Sequence, residues 1–144
     1  MKTKKILIVA SDYNNEINNG LKSYALNQLK DQEWIKTFLI EVPGSFEIPS
    51  IIEKYIKKFD GFIALGCVIK GQTPHFDLIC NSTFNSILHL SINFNKPIGN
   101  GIITAYNMKQ ALQRCKSTIS KKPNKGSEAA NAVMSILKNG PKKI

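Results

Sequence analysis

The chain is poor in arginine, tryptophan, cysteine and acidic residues. Arg114 is the single arginine among 20 basic residues, so the other 19 are lysines, and they are scattered along the sequence. Surfaces dedicated to nucleic acid usually mix arginine and aromatic side chains into one basic patch. The formal charge of +10 is therefore a weak indication of nucleic-acid binding, and we expect no nucleic-acid partner.

The three cysteines are Cys67, Cys80 and Cys115, an odd number without a closely spaced pair. Neither a disulfide framework nor a zinc site is indicated by such spacing. Cys67 lies in an apolar run and Cys80 on an apolar helical face, where small buried side chains are the ordinary interpretation. We therefore expect structural cysteines and no metal.

Long hydrophobic runs are absent as well. No segment approaches the roughly 18 apolar residues of a membrane helix, and the apolar start at residues 6–10 is shorter than the core of a secretory signal, which is about 7–15 residues. We expect a cytoplasmic protein without membrane contact. The length of 144 residues and the hydrophobic content of 42% predict a single domain over residues 1–144.

What the sequence does contain is an alternation of extended and helical patterns. The predicted strands are Lys5–Ala10, Trp34–Val42, Gly61–Ile69 and Pro97–Thr104. The first and third are nearly continuous apolar runs, as in strands buried on both faces of a parallel sheet. The predicted fold class is α/β, a three-layer α/β/α sandwich around a four-stranded parallel, flavodoxin-like doubly wound sheet.

Four helices are predicted from apolar residues that recur at helical spacing. Their stripes consist of Ile17, Leu21, Tyr24 and Ala25; Ile48, Ile51, Ile52, Tyr55 and Ile56; Phe76, Ile79, Cys80, Phe84, Ile87 and Leu88; and Ala129, Ala132, Val133, Ile136 and Leu137.

Ligands of doubly wound sheets bind beyond the carboxyl ends of the strands, and the exit of the third strand is the most informative. Gly71 is expected to permit a tight turn, Thr73 to cap a helix and Pro74 to occupy its first position. A helix N-terminus of this kind can bind phosphate. His75 follows in the first turn, where it is suited to proton transfer. Taken alone, a histidine in the first turn of a helix is more often a solvated surface residue.

Two further residues suggest ligand contacts. Tyr13 follows the first strand among polar neighbours and offers a flat apolar face to a planar ligand, although it could also pack locally in a turn. Arg114 is the one position at which this lysine-rich chain uses arginine. Bidentate binding of phosphate or carboxylate is a common reason why lysine cannot replace arginine.

Three motifs join these exits into a pattern. They are Val42–Pro49, Ala64–Asp77 and Asn124–Ala130. In this order they resemble the 6,7-dimethyl-8-ribityllumazine synthase family over nearly the whole chain. The resemblance implies the condensation of 5-amino-6-(D-ribitylamino)uracil with 3,4-dihydroxy-2-butanone 4-phosphate, without a cofactor. The product is the lumazine of riboflavin biosynthesis, and riboflavin synthase acts downstream.

The resemblance also implies residue roles, with His75 as the proton shuttle. The pyrimidine and ribityl contacts that it implies are Tyr13, Ser45, Phe46, Glu47, Cys67, Val68, Ile69 and Asn100. The phosphate contacts that it implies are Gly71, Gln72, Thr73, Arg114 and, as a secondary candidate, Lys125. Family sites lie between subunits of a pentamer, so Arg114 is expected to come from a neighbouring chain.

Several positions depart from the family pattern. Many relatives have Arg at Asp12 and Glu at Gln72, so side-chain roles at those two positions are not carried over. At Asn100 many members have a Phe beside the ring, and others have a polar residue. The segment from Cys115 to Pro123 is longer than the loop of shell-forming members and lacks its glycine. We therefore expect a homo-oligomer that is a free pentamer or a decamer, and not a shell of sixty subunits.

Two other classes compete with this interpretation. A signalling receiver domain would need an acidic cluster after the first strand, whereas Asp12 stands alone there. A non-catalytic protein that binds a flavin or a lumazine on the same scaffold remains the main alternative.

Overall fold

The computed structural model describes residues 2–116 and 123–144. Its sheet has four parallel strands in the order β2-β1-β3-β4, which confirms the predicted class. The strands are β1 (Lys4–Ser11), β2 (Ile35–Val42), β3 (Gly61–Ile69) and β4 (Ile98–Ala105). Each agrees with its predicted range to within one residue at either end.

Helices cover both faces of the sheet. They are α1 (Asn15–Leu29), α2 (Ile48–Tyr55), α3 (His75–Phe94), α4 (Met108–Cys115) and α5 (Lys125–Lys138), with a short 3₁₀ turn at Ser45–Glu47 before α2. None of these helices in the described ranges is long and apolar enough to cross a lipid bilayer.

The strands contribute side chains to two hydrophobic cores, because successive side chains of a strand point to opposite faces of the sheet. Ile6 and Ile8 of β1 lie in one core, together with residues of α1, α4 and α5. Leu7 and Val9 lie in the other core, with residues of α2 and α3. This alternation produces the predicted three layers.

Helix α4 was not predicted, although its sequence carries two signals. Asn107 Oδ1 accepts a hydrogen bond from Gln110 N at 2.9 Å, and Gln110 Oε1 accepts one from Tyr106 N at 2.8 Å. This reciprocal pair resembles a capping box. Apolar residues at helical spacing follow at Met108, Ala111, Leu112 and Cys115.

The predicted apolar stripe of α3 is partly wrong. Leu88 is 60% exposed, and the residues that α3 buries are Thr83, Ile87 and Leu90. These three lie at positions i, i+4 and i+7, so they define the face that packs on the sheet. The stripe was misplaced because exposed apolar residues continue along a second face of the same helix.

The stripe of α5 is also partly wrong, since Ala132 and Ile136 are exposed. The helix packs very closely on β4, where a Cβ atom on Gly99 would overlap the backbone oxygen of Ala129. That contact requires small residues on both elements. The face of α5 that packs against the sheet therefore differs from the predicted apolar stripe. The buried residues of α5 are Gly126, Ala129, Ala130 and Val133.

Candidate active site

A cavity of about 600 Å³ lies at the carboxyl ends of β1 and β3. The chain leaves β1 in one direction toward β2 and reaches β3 and β4 on the other side. Such a reversal of strand order is where doubly wound sheets bind their ligands. The cavity is lined by Tyr13, Gly44, Ser45, Phe46, Glu47, Cys67, Val68, Ile69, His75 and Ile79.

A glycine shapes the inner end of this cavity. A Cβ atom on Gly66 would lie 2.5 Å from Ser45 Oγ and 3.0 Å from Ser11 Oγ. Only a residue without a side chain therefore leaves room for the Ser45 hydroxyl. Ser45 Oγ is buried and has no hydrogen-bond partner within the described residues. Because a buried hydroxyl without a partner is unfavourable, a polar ligand atom would be bound well here.

The backbone of β3 also becomes available at the cavity. The pairing of β1 with β3 extends to Ala10 and Leu65, whereas β3 continues to Ile69. The last residues of β3 therefore have no β1 partner on that side within the described chain. Backbone N–H and C=O groups need hydrogen-bond partners when a ligand covers them, so a planar heterocycle could be held by this edge.

Two aromatic rings stand at the mouth of the cavity. Tyr13 is 54% exposed and Phe46 is 63% exposed. Exposed rings of this kind offer flat apolar faces on which a planar ligand can stack. Tyr13 lies two residues after the end of β1, and Phe46 belongs to the 3₁₀ turn that follows β2.

Cys67 contributes little reactivity. The pKa of its thiol is raised to about 12, mainly by burial and to a smaller extent by the thiols of Cys115 and Cys80. The group is therefore protonated at neutral pH. Since the thiolate is the nucleophilic form of cysteine, this side chain serves as part of the cavity wall, and its burial agrees with the structural role expected from its apolar run.

The loop between β3 and α3 differs from expectation in two details. Helix α3 begins at His75, one residue after the predicted start, and Thr73 Oγ1 accepts a hydrogen bond from His75 N at 3.4 Å. Gly71 does not have the left-handed backbone of a tight glycine turn, and an added Cβ would meet nothing within 4 Å. Its predicted steric role is wrong. Gly71, Gln72 and Thr73 are all exposed.

Arg114 lies in a different depression, a groove of about 400 Å³ on the other side of α3. Its Nη1 donates a hydrogen bond to Gln110 O at 2.9 Å. Residues adjacent in a helix point about 100° apart, which explains why His75 lines the cavity while Phe76 lines the groove. The groove is lined by Phe76, Cys80, Asn81, Phe84, Thr104, Ala105, Tyr106, Gln110 and Arg114.

Two more predicted site residues line neither depression. Asn100 is exposed on the edge strand β4, and its Oδ1 accepts a hydrogen bond from Ile102 N at 3.1 Å. Lys125 is the first residue of α5, with its Nζ 3.0 Å from Glu128 Oε2. One chain thus brings together eight predicted residues around the cavity. Asn100, Lys125, Arg114 and the loop residues 71–73 lie outside its lining.

Ile79 and Gly66 were not predicted as site residues. Ile79 lies one helical turn after His75, so the i, i+4 rule could have placed it on the same face. Gly66 has no comparable sequence signal, because its importance depends on which side chains the fold packs against it.

Across residues 2–116 and 123–144, no three His, Cys, Asp or Glu side chains are close enough to hold a metal ion. The expectation of a free pentamer or a decamer was based on the segment from Cys115 to Pro123. Residues 117–122 of that segment lie outside the described ranges.

Comparison with known proteins matches residues 3–139 to the family model described as 6,7-dimethyl-8-ribityllumazine synthase. The relatives that carry that name include the following three. The protein of Buchnera aphidicola subsp. Baizongia pistaciae is 43% identical over 94% of this chain and 87% of its own length. Those of Bdellovibrio bacteriovorus and Desulfovibrio desulfuricans are 37% and 36% identical over 92% and 95% of this chain, and 73% and 88% of their own lengths.

Proposed function

Since this chain belongs to the 6,7-dimethyl-8-ribityllumazine synthase family and has that activity in riboflavin biosynthesis, we propose that its active site is completed by a second copy of the chain. The substrates proposed are 5-amino-6-(D-ribitylamino)uracil and 3,4-dihydroxy-2-butanone 4-phosphate. The products are 6,7-dimethyl-8-ribityllumazine, phosphate and water, and no cofactor takes part.

The cavity is assigned to the ribitylaminouracil. Its pyrimidine ring stacks on Tyr13 and contacts Val68. It bonds the β3 backbone at Cys67 and Ile69, whose N–H and C=O groups face the side that lies beyond the pairing with β1. The ribityl chain lies along Ser45, Phe46 and Glu47. Support comes from the buried hydroxyl of Ser45, which lacks a partner in the described chain, because the ligand carries a row of hydroxyl groups that can supply one.

The phosphate is assigned to the exposed loop of Gly71, Gln72 and Thr73. This loop precedes α3, and free N–H groups at a helix N-terminus favour an anion. The cation that completes the phosphate site is Arg114 of a neighbouring copy, with Lys125 as a secondary candidate. Asn100 is assigned to the pyrimidine ring. The observation that carries this proposal is that Arg114 opens into the groove on the opposite side of α3 from His75.

His75 is assigned the proton transfers. The amine of the pyrimidine attacks the ketone and loses water to give an imine, phosphate then leaves, and ring closure releases water. Each step moves a proton between nitrogen, carbon and oxygen, which is work suited to a histidine. His75 is exposed at the cavity, so it can exchange protons with solvent between steps. Holding the two substrates together supplies a further part of the rate.

The proposed assembly is a homopentamer, or a pair of pentamers. In a closed ring, one surface of each chain meets a different surface of the next chain. Such an arrangement lets the cavity of one copy face the groove of its neighbour. Helix α3 also exposes Leu78, Leu88 and Ile92 at 65%, 60% and 69%, and apolar side chains in such numbers are typical of an interface. Light scattering should give five or ten times the 16.1-kDa chain mass. A particle near a megadalton would contradict this assembly.

The reaction itself is tested with both substrates and EDTA-treated protein. We expect the fluorescent lumazine to appear faster than in a protein-free control, with equimolar release of phosphate. A folded oligomer that retained a yellow flavin or lumazine but gave no turnover would instead indicate the non-catalytic binding protein.

A further inference from the structure

Asn124 is a buried polar residue that connects two helices. It is 4% exposed and precedes α5. Its Oδ1 accepts hydrogen bonds from Gly126 N at 2.7 Å and Ser127 N at 3.2 Å. Its Nδ2 donates to the backbone oxygen of Cys115, the last residue of α4. One side chain therefore caps the start of α5 and holds the end of α4.

Both helix ends rest on the same turn of α1. A Cβ atom on Gly20 would lie 2.7 Å from Cys115 O. One on Gly126 would overlap the backbone oxygen of Leu21. Because the three helices touch through glycines, the groups joined by Asn124 have little freedom to move. Lys116 adds an ion pair with Glu16 of α1, which holds the same end of α4.

The two groups held by Asn124 adjoin two residues of the proposed phosphate site. Arg114 immediately precedes Cys115, and Lys125 immediately follows Asn124. We propose that Asn124 is a positioning residue for phosphate binding, which acts by fixing Arg114 relative to Lys125. This inference rests on the proposed role of Arg114 at the neighbouring chain's phosphate loop.

Aspartate separates the two functions of Asn124. Its carboxylate oxygen can still accept the two N–H groups of α5, and aspartate is a good residue for that position. It cannot donate to Cys115 O. Asn124→Asp therefore retains the cap and removes the connection. Asn107→Asp is the matched control, because Asn107 caps the other end of α4 only by accepting a hydrogen bond.

We expect Asn124→Asp to raise the KM for the butanone phosphate about tenfold or more, since small displacements of positioning groups can have large effects on rate. The KM for the ribitylaminouracil should stay within about twofold of the wild type, and Asn107→Asp should resemble the wild type in both constants. A purely structural role predicts a lower melting temperature and less active protein with both KM values unchanged. That result for Asn124→Asp would overturn the inference.

A double-mutant cycle with Arg114→Ala distinguishes failure of this inference from failure of the proposed function. If Asn124 acts through Arg114, its substitution should change the KM for the butanone phosphate far less in the Arg114→Ala background. Equal effects in both backgrounds would refute the connection. If Arg114→Ala itself leaves that KM unchanged, the phosphate assignment fails first, and any effect of Asn124→Asp arises elsewhere.

Discussion

The cavity and the groove are two depressions on either side of α3, and their linings differ in chemistry. Among its described lining residues the cavity has no lysine or arginine, and it combines aromatic rings with a buried hydroxyl. The described residues that line the groove include Arg114 and no carboxylate. A neutral planar polyol suits the first lining and an anion suits the second. One proposed substrate is of each kind, so the difference is what the proposed shared site requires.

Removing the cation of the groove should have the largest effect. Under the proposed function, Arg114→Ala deletes charge-assisted hydrogen bonds to the phosphate, and bonds of this kind are among the strongest in proteins. We expect kcat/KM for the butanone phosphate to fall about a hundredfold, measured by steady-state kinetics. Lys109→Ala removes a charge from an exposed position of the same helix and should resemble the wild type. Equal losses in the two variants would show that only net charge matters.

Removing the proton shuttle of the cavity should have a smaller effect. His75→Ala should lower kcat about tenfold without abolishing turnover, because positioning of the substrates persists and water can replace an exposed general acid or base. His89→Ala is the matched control, since His89 is exposed on α3 and contacts Asn93. Undetectable turnover of His75→Ala, in a correctly assembled protein, would contradict this account.

Removing the Ser45 hydroxyl at the inner end of the cavity should have a weaker effect. Ser45→Ala should raise the KM for the ribitylaminouracil about three- to tenfold, the value of one hydrogen bond, and leave the KM for the butanone phosphate unchanged. Thr83→Val is the control, because Thr83 Oγ1 is also buried without a partner in the described chain but lies outside the cavity. An unchanged KM for Ser45→Ala would mean that the ribityl chain binds elsewhere.

The smallest effect concerns the cavity thiol. With the pKa of Cys67 near 12, iodoacetamide at pH 8 should modify half-buried Cys80 well before Cys67, as peptide mass spectrometry can show. The same pKa predicts a stability trend. The unfolded thiol ionises near pH 9.0 and the folded one near 12, so this contribution to stability is complete below pH 9 and declines above it. Rapid alkylation of Cys67 would show that the cavity is more open than described.

Much of the fold was predictable because apolar patterns report burial directly. The apolar runs at residues 6–10 and 61–67 are buried on both faces, and such runs leave few alternatives to central parallel strands. The strand exits then bring Tyr13, Ser45 and His75 to one edge. Leu88 and Ile136 show where this reasoning fails, since an exposed apolar face has the same sequence pattern as a buried one.

The remaining features depend on distances that no pattern contains. The position of Gly66 beside Ser45 results from the packing of β3 against the 3₁₀ turn and the end of β1. The position of Arg114 relative to α3 depends on how α4 packs against the sheet after β4. The expectation that Arg114 completes the site of a neighbouring chain came from the resemblance to the family. Residue spacing alone could not have given it.

Mixing two defective variants tests the central claim, that cavity and groove of different copies form one site. Ile79→Trp fills the cavity from α3, and Arg114→Ala disables the groove. In co-assembled oligomers of equal composition, about a quarter of the head-to-tail interfaces pair an intact cavity with an intact groove. We predict that activity rises to about a quarter of the wild type after subunits are unfolded and reassembled together. Activity no greater than the mean of the two variants alone, in oligomers shown by mass spectrometry to be mixed, would contradict the shared site.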